Sequence, residues 1–141
     1  MNLTFQKQMI ELIRAFGLHK PDQTPCGQPV AVTEAHALMA LTSDEPLSQK
    51  QLGTVLSLEK STVSRLVSQL QKRGWIARTR SVKDKRMIEL RLTDSGRTVS
   101  AQLAEARQAK FQRVLSAIPV EQQAFVTDAL SILVEAMRED H

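Results

Sequence analysis

Between Lys60 and Gln69 the chain reads KSTVSRLVSQ, and two kinds of residue alternate there at helical spacing. Val63, Leu66, Val67 and Leu70 fall on one stripe of a helix. Lys60, Ser61, Thr62, Ser64, Arg65, Ser68 and Gln69 fall on the other side. The polar set is equipped for hydrogen bonding to nucleic acid. An arginine fork such as that of Arg65 matches O6 and N7 of guanine, and the amide of Gln69 matches N6 and N7 of adenine. The short hydroxyl side chains let a backbone approach closely and can bond to phosphate or to base edges. Serine and threonine compete with the helix backbone, so a face rich in them is a poor choice for a merely solvated surface.

A second constellation follows, in which Lys83, Asp84, Lys85 and Arg86 lie between two strand-like runs, with Arg78 and Arg80 on the first run. Cations at the tip of a two-stranded ribbon suit the DNA minor groove, whose potential is most negative over A·T-rich steps. Asp84 is out of place beside a polyanion, and its expected task is to hold Arg86 in an extended pose. Both constellations sit in one basic block. Residues 47–97 carry twelve Lys/Arg against four Asp/Glu, and the remaining ninety carry seven against eleven. That split is the footprint of a module that docks on a polyanion.

Several elements are expected to position these groups. Phe5, Met9, Leu12, Ile13 and Phe16 form one helical stripe closed by Gly17, and the Pro-rich stretch 19–31 is an irregular connection. Thr33 is expected to cap a helix from Glu34 to about Leu41, with Leu38 and Leu41 facing inward, before a polar turn over Thr42–Pro46. Ser48 and Gln51 form a capping box for a short third helix, with Leu47 and Leu52 as its hydrophobic staple. Leu52, Val55 and Leu56 are its apolar face, and Ser57-Leu58 ends it. The fourth helix runs from about Lys60 to Arg73 and stops at Gly74. Ile76–Ser81 and Met87–Leu92 read as strands, the second with Ile88, Leu90 and Leu92 on one face. Thr93 or Asp94 caps a long helix, about Ser95–Ala117, with Val99, Leu103, Ala106, Val114 and Leu115 on its stripe. The last helix starts near Pro119 and reaches about Arg138, apolar over a wide arc from Phe125 to Met137.

The third and fourth helices, short and joined by a tight turn, make a helix-turn-helix, whose second member enters the major groove. The third would cross the DNA backbone with Gln49 and its N-terminal amides available to phosphate. The expected fold class is mainly α with a small β-hairpin wing. Among 141 residues, 42% are apolar and 24% charged, which is ordinary for one globular domain. No apolar run suits a membrane span. One cysteine excludes an internal disulfide, so the chain is most simply cytoplasmic. An enzyme is disfavoured: there is no Gly-rich phosphate loop, no HExxH and no Ser-His-Asp arrangement. No cofactor is expected. The rival reading is a winged-helix scaffold that binds protein or RNA.

The run LSQKQLGTVLSLEKSTVSRLVSQLQKRGWIARTR from Leu47 to Arg80, with DKRMIELRLTDSG from Asp84 to Gly96, resembles the MarR family of winged-helix regulators. The STVSRLV run, the KRGW step, the Asp84-x-Arg86 tip and the LTDSG exit carry the resemblance, which is specific over about residues 33–97. It implies a homodimer through N- and C-terminal helices (residues 1–32 and 94–141), with a winged helix-turn-helix over 33–93. It implies a repressor on a pseudo-palindromic operator of double-stranded DNA, released by a small-molecule effector or, failing that, a redox or metal signal. His19, Cys26 and His36 are the candidate residues of an effector or sensor cleft. Family members that sense hydroperoxides carry their thiol on the first helix among tyrosines, and this chain has no tyrosine and places Cys26 in a loop. Zinc-responsive members use a histidine pair on the long fifth helix, and Ser95–Ala117 contains none. No metal is therefore expected, and His36 is read as a half-buried polar residue.

Overall fold

The computed structural model describes residues 3–43 and 45–140, so Met1, Asn2, Asp44 (in the expected polar turn) and His141 lie outside the described residues. In chain order the elements are α1 (Leu3–Phe16), α2 (Val32–Ala40), β1 (Leu47–Ser48), α3 (Gln49–Leu56), α4 (Lys60–Lys72), β2 (Ile76–Arg80), β3 (Ile88–Leu92), α5 (Asp94–Ser116) and α6 (Val120–Glu139). The described chain forms two compact units, Met1–Ala106 and Arg107–His141.

In the first unit, α2, α3, α4 and the sheet enclose one core. Leu38, Leu52, Val63, Val67, Leu70 and Leu90 are its fully buried side chains, joined by Leu41, Leu66, Ile76, Leu92 and Leu103. Each buried leucine contributes about 1.5–3 kcal/mol, so this cluster is what fixes the angle between α3 and α4. All four apolar positions expected of α4 are buried. Its end is set by Gly74, whose φ of 78° lies in the left-handed region that glycine adopts without strain.

Four local expectations are corrected. First, α2 starts at Val32, with Ala31 and not Thr33 at the cap position. The Glu34 carboxylate reaches back to accept from the Ala31 N–H at 3.2 Å, so the first turn is held from inside the helix. Second, Val55 is 59% exposed, and Gly53 takes the inward place beside Leu52. A side chain at 53 would meet Val63 Cγ2 at 3.1 Å and Leu58 O at 3.3 Å, so the backbone of α3 itself lies against α4. Third, the sheet has three strands in the order β1-β3-β2, because Leu47 and Ser48 pair antiparallel with Leu90 and Glu89. Fourth, Ile88 is exposed although Leu90 and Leu92 are buried, since it pairs with Arg80 at the tip end of the hairpin, beyond the core's cover.

The expected capping box of α3 is present. The Gln51 N–H donates to Ser48 Oγ at 3.1 Å, and the Ser48 N–H donates to Gln51 Oε1 at 2.8 Å. Of the two candidate caps for α5, Thr93 is the one used: its Oγ accepts from the Gly96 N–H at 3.0 Å. Helix α1 is amphipathic as expected, but none of its residues is buried.

The second unit is the end of α5, the break at Ala117–Pro119, and α6. The Gln123 side-chain amide ties that break by donating to the Leu115 and Ile118 carbonyls, both at 3.1 Å. Val114, Leu115, Phe125 and Ile132 stay exposed. No helix among the described residues is long and apolar enough to cross a membrane.

Candidate nucleic-acid interface

Because α4 buries Val63, Leu66, Val67 and Leu70, its other side must face outward. Lys60, Ser61, Ser64, Arg65, Ser68 and Gln69 are exposed and Thr62 is half-buried. The tight turn before α4 depends on Ser57, which adopts the left-handed conformation (φ 55°), an uncommon one for a residue other than glycine. The Leu58 N–H closes the turn on the Gly53 carbonyl at 2.9 Å. At the start of α4 the Glu59 side chain makes no capping bond, so the first amides of the helix are not taken up by it. Such amides, with the positive end of the helix dipole, suit a phosphate oxygen. A cleft of about 690 Å³ opens here between α3 and α4, lined by Gln49, Lys50, Thr54, Ser57 and Lys60 among others. Gln49 thus lies on the same rim as the N-terminus of α4.

The wing is held by its own polar groups. Ser81, buried at the end of β2, accepts from the Lys83 and Asp84 N–H groups at 3.2 Å each. The Ser81 N–H donates to the Met87 carbonyl, and the Met87 N–H to the Asp84 carbonyl, at 2.9 Å each. The Asp84 carboxylate accepts from the Arg86 backbone N–H at 3.0 Å and from its Nε at 3.2 Å. The Arg86 side chain is 91% exposed, so this contact restrains its root and leaves the rest of the fork in solvent. The expected pairing of Asp84 with Arg86 is therefore present. Arg80 has a role its sequence position does not reveal: its Nη1 donates across the hairpin to the Lys85 carbonyl at 2.6 Å. Arg78, Lys83 and Lys85 are exposed.

The candidate sensor residues do not form a comparable arrangement. Cys26 is half-buried in the 17–31 loop, its Sγ 3.0 Å from Thr24 Oγ. His19 is exposed, and so is His36, which corrects the expectation of a half-buried histidine: it points away from the buried Glu34, Ala35, Ala37 and Leu38 side of α2. Among the described residues no three His, Cys, Asp or Glu side chains come together as metal ligands.

One group went unread in the sequence. Glu34 is buried, and its Oε1 accepts from Arg73 Nη2 at 3.2 Å while Oε2 stands 2.7 Å from Arg73 Nε. The second approach is a charge contact whose angle is not that of a hydrogen bond. The Arg73 guanidinium also lies 4.6 Å from the centroid of the Trp75 ring. The two charges are 39 residues apart, too far for any spacing rule to pair them.

A helix-turn-helix followed by a three-stranded sheet with a basic hairpin tip is a winged-helix arrangement. The MarR family model matches residues 30–88. The chain is 38% identical over 68 residues to the HTH-type transcriptional regulator SarZ of Staphylococcus aureus, a match covering 48% of this chain and 46% of that protein. The chain thus spans about half the length of the curated relatives it matches. FabT of Streptococcus pneumoniae, solved in complex with DNA, superposes with a TM-score of 0.74 at 20% identity, over 99% of this chain and 94% of that one. The PcaV transcriptional regulator of Streptomyces coelicolor gives 0.74 at 23% identity over 99% of both chains. These likenesses show the fold. Over residues 30–88 the chain is similar to the MarR family.

Proposed function

We propose that this chain is a sequence-specific regulator of transcription that binds double-stranded DNA. The single observation that carries the reading is the outward face of α4, where Arg65 and Gln69 stand exposed among serines directly behind a fully buried stripe. In this reading Arg65 and Gln69 read base edges, and Ser61, Thr62, Ser64 and Ser68 contact phosphates or bases. Lys60 and Gln49 hold the phosphate backbone beside the α4 N-terminus, and Arg78, Lys83, Lys85 and Arg86 bring the wing to the neighbouring groove.

The working unit in this reading is a cytoplasmic homodimer on a pseudo-palindromic operator, acting as a repressor. Residues 1–32 and 94–141 join the copies, and residues 33–93 read the DNA. The support is the exposed apolar stripe of α1 and the exposed apolar arc of α6. A small-molecule effector releases the DNA in this scheme. Relatives in the fold include PcaV solved in complex with its natural ligand, which is the support for that step.

The test is enrichment of duplexes from a randomised pool, followed by titration of the enriched duplex at increasing salt and sedimentation of the protein alone. A dimer with six to ten phosphate contacts loses about 10³–10⁵-fold in affinity between roughly 50 and 200 mM salt. A monomer in sedimentation removes the paired-half-site arrangement. Failure to enrich any duplex removes the DNA reading and leaves the scaffold alternative.

A further inference from the structure

Arg65, Gln69 and Arg73 follow one another at four-residue steps along α4. Two of them are free at the surface, but the third is drawn back onto Glu34. Glu34 is 4% exposed, and it joins three pieces of the chain. Through Oε1 it holds the Ala31 N–H at the start of α2. Through both oxygens it holds Arg73, the residue that closes α4. Arg73 in turn covers the Trp75 ring at the entrance to β2, and the Trp75 carbonyl accepts from the Thr93 N–H at 3.0 Å. The far end of α4 is thus pinned by one buried carboxylate, while its near end is set by the Ser57 turn.

We propose that Glu34 is a positioning residue for sequence reading: it fixes the tilt of α4, and so the reach of Arg65 and Gln69, without touching DNA. The proposal rests on the DNA-binding reading above. The lever arm makes the effect large. With Arg73 released, α4 pivots about its near end, and Gln69 and Arg65 lie nine and five residues from Lys60, about 13.5 and about 7.5 Å along a helix at 1.5 Å per residue. A tilt of about 5° therefore displaces Gln69 by roughly 1.2 Å and Arg65 by roughly 0.7 Å, while hydrogen-bond lengths vary by only about 0.5 Å. Contacts to phosphates by long flexible lysines follow such a shift; two-pronged contacts to a base edge do not.

This separates positioning from plain stability. A variant that merely unfolds in part lowers the binding of every duplex by the same factor. A mis-tilted α4 lowers binding to the preferred duplex alone. The measurement uses the full chain and two probes: the duplex that wild type enriches from a randomised pool, and an unrelated duplex of equal length. Glu34→Gln keeps an acceptor for Ala31 and removes the charge. Its preferred-to-unrelated affinity ratio should fall roughly tenfold, the size of one misplaced base contact, with the unrelated duplex bound as by wild type. If Glu34→Gln does not fold, Arg73→Lys carries the test with the same expected fall, since it keeps a cation beside Glu34 but loses the fork and the ring contact. An unchanged ratio in a folded variant overturns the proposal and leaves the DNA reading intact. A wild type that enriches no duplex overturns both.

Discussion

Gly96 is where α5 meets the backbone of Trp75 ahead of β2, and replacing it by alanine tests that junction. A Cβ built at Gly96 would stand 2.0 Å from the Trp75 carbonyl oxygen, 2.9 Å from its carbon and 3.2 Å from its Cα. All three are backbone atoms, so no side chain can swing aside. The Trp75 backbone is itself fixed, its N–H donating to Leu70 O at 3.1 Å and its carbonyl accepting from Thr93. Relief requires α5 to withdraw by about 1 Å or more, since non-bonded heavy atoms sit at about 3.5–4.0 Å. Withdrawal carries off Thr93, whose Oγ donates to Gly74 O at 2.6 Å and caps α5 at Gly96. Overpacking of this kind costs about 1–3 kcal/mol, and loss of the cap about 1 kcal/mol more. Alanine regains up to about 1 kcal/mol through helix propensity. The net expectation for Gly96→Ala is a loss of about 2 kcal/mol. In urea unfolding at fixed protein concentration, with a slope of about 1–3 kcal/mol per molar, the midpoint should drop by roughly 1 M. A midpoint that stays in place or rises would refute the close approach, because that is how alanine behaves at an open helical glycine.

Two further outcomes follow from the interface. Arg65→Ala should relax discrimination at one base pair per half-site by about 1–3 kcal/mol, the worth of a two-pronged contact; a competition assay with single-base variants checks it, and unchanged discrimination assigns Arg65 to phosphate. Arg86→Ala should weaken binding mainly on duplexes with A·T-rich flanks, where the minor groove is narrow; an equal loss on G·C-rich flanks makes Arg86 a plain phosphate contact.

Helix α4 was legible in the sequence because one 3.6-residue period settles two things together: four apolar residues locate the buried side, and whatever is left over faces out. The same period placed Val55 wrongly. In an eight-residue helix the apolar stripe is only one turn long, and a glycine can occupy the inward place where its backbone meets a neighbouring side chain, as Gly53 does against Val63. Strand β1 escaped notice for a related reason: two residues cannot show an alternation, and Leu47 and Ser48 already had a sufficient role in starting α3. The wing's loop chemistry was partly readable. Asp84 and Arg86 are two residues apart and announced their pairing, whereas the bond from Arg80 to the Lys85 carbonyl depends on the hairpin register, which no local pattern encodes. Glu34 and Arg73 lie further still beyond reach, since their meeting is a product of the packing of α2 on α4.

The apolar stripes at the two ends of the chain obey a different logic. Periodicity declared that one side of α1 is to be covered, and the structure of a single chain leaves Phe5, Leu12 and Ile13 exposed. In α6, Phe125 is 76% exposed and Ile132 73%. Sequence pattern encodes a demand for burial but not the identity of what meets it. Within α4 the chain satisfies that demand internally, which is why expectation and structure agree most closely there. In α1 and α6 the demand outlasts folding of the single chain. An exposed apolar face costs solubility unless something covers it, and a second copy of the chain always brings the same stripes at the same concentration. That is the physical ground for the proposal that a homodimer, and not the isolated chain, meets the DNA.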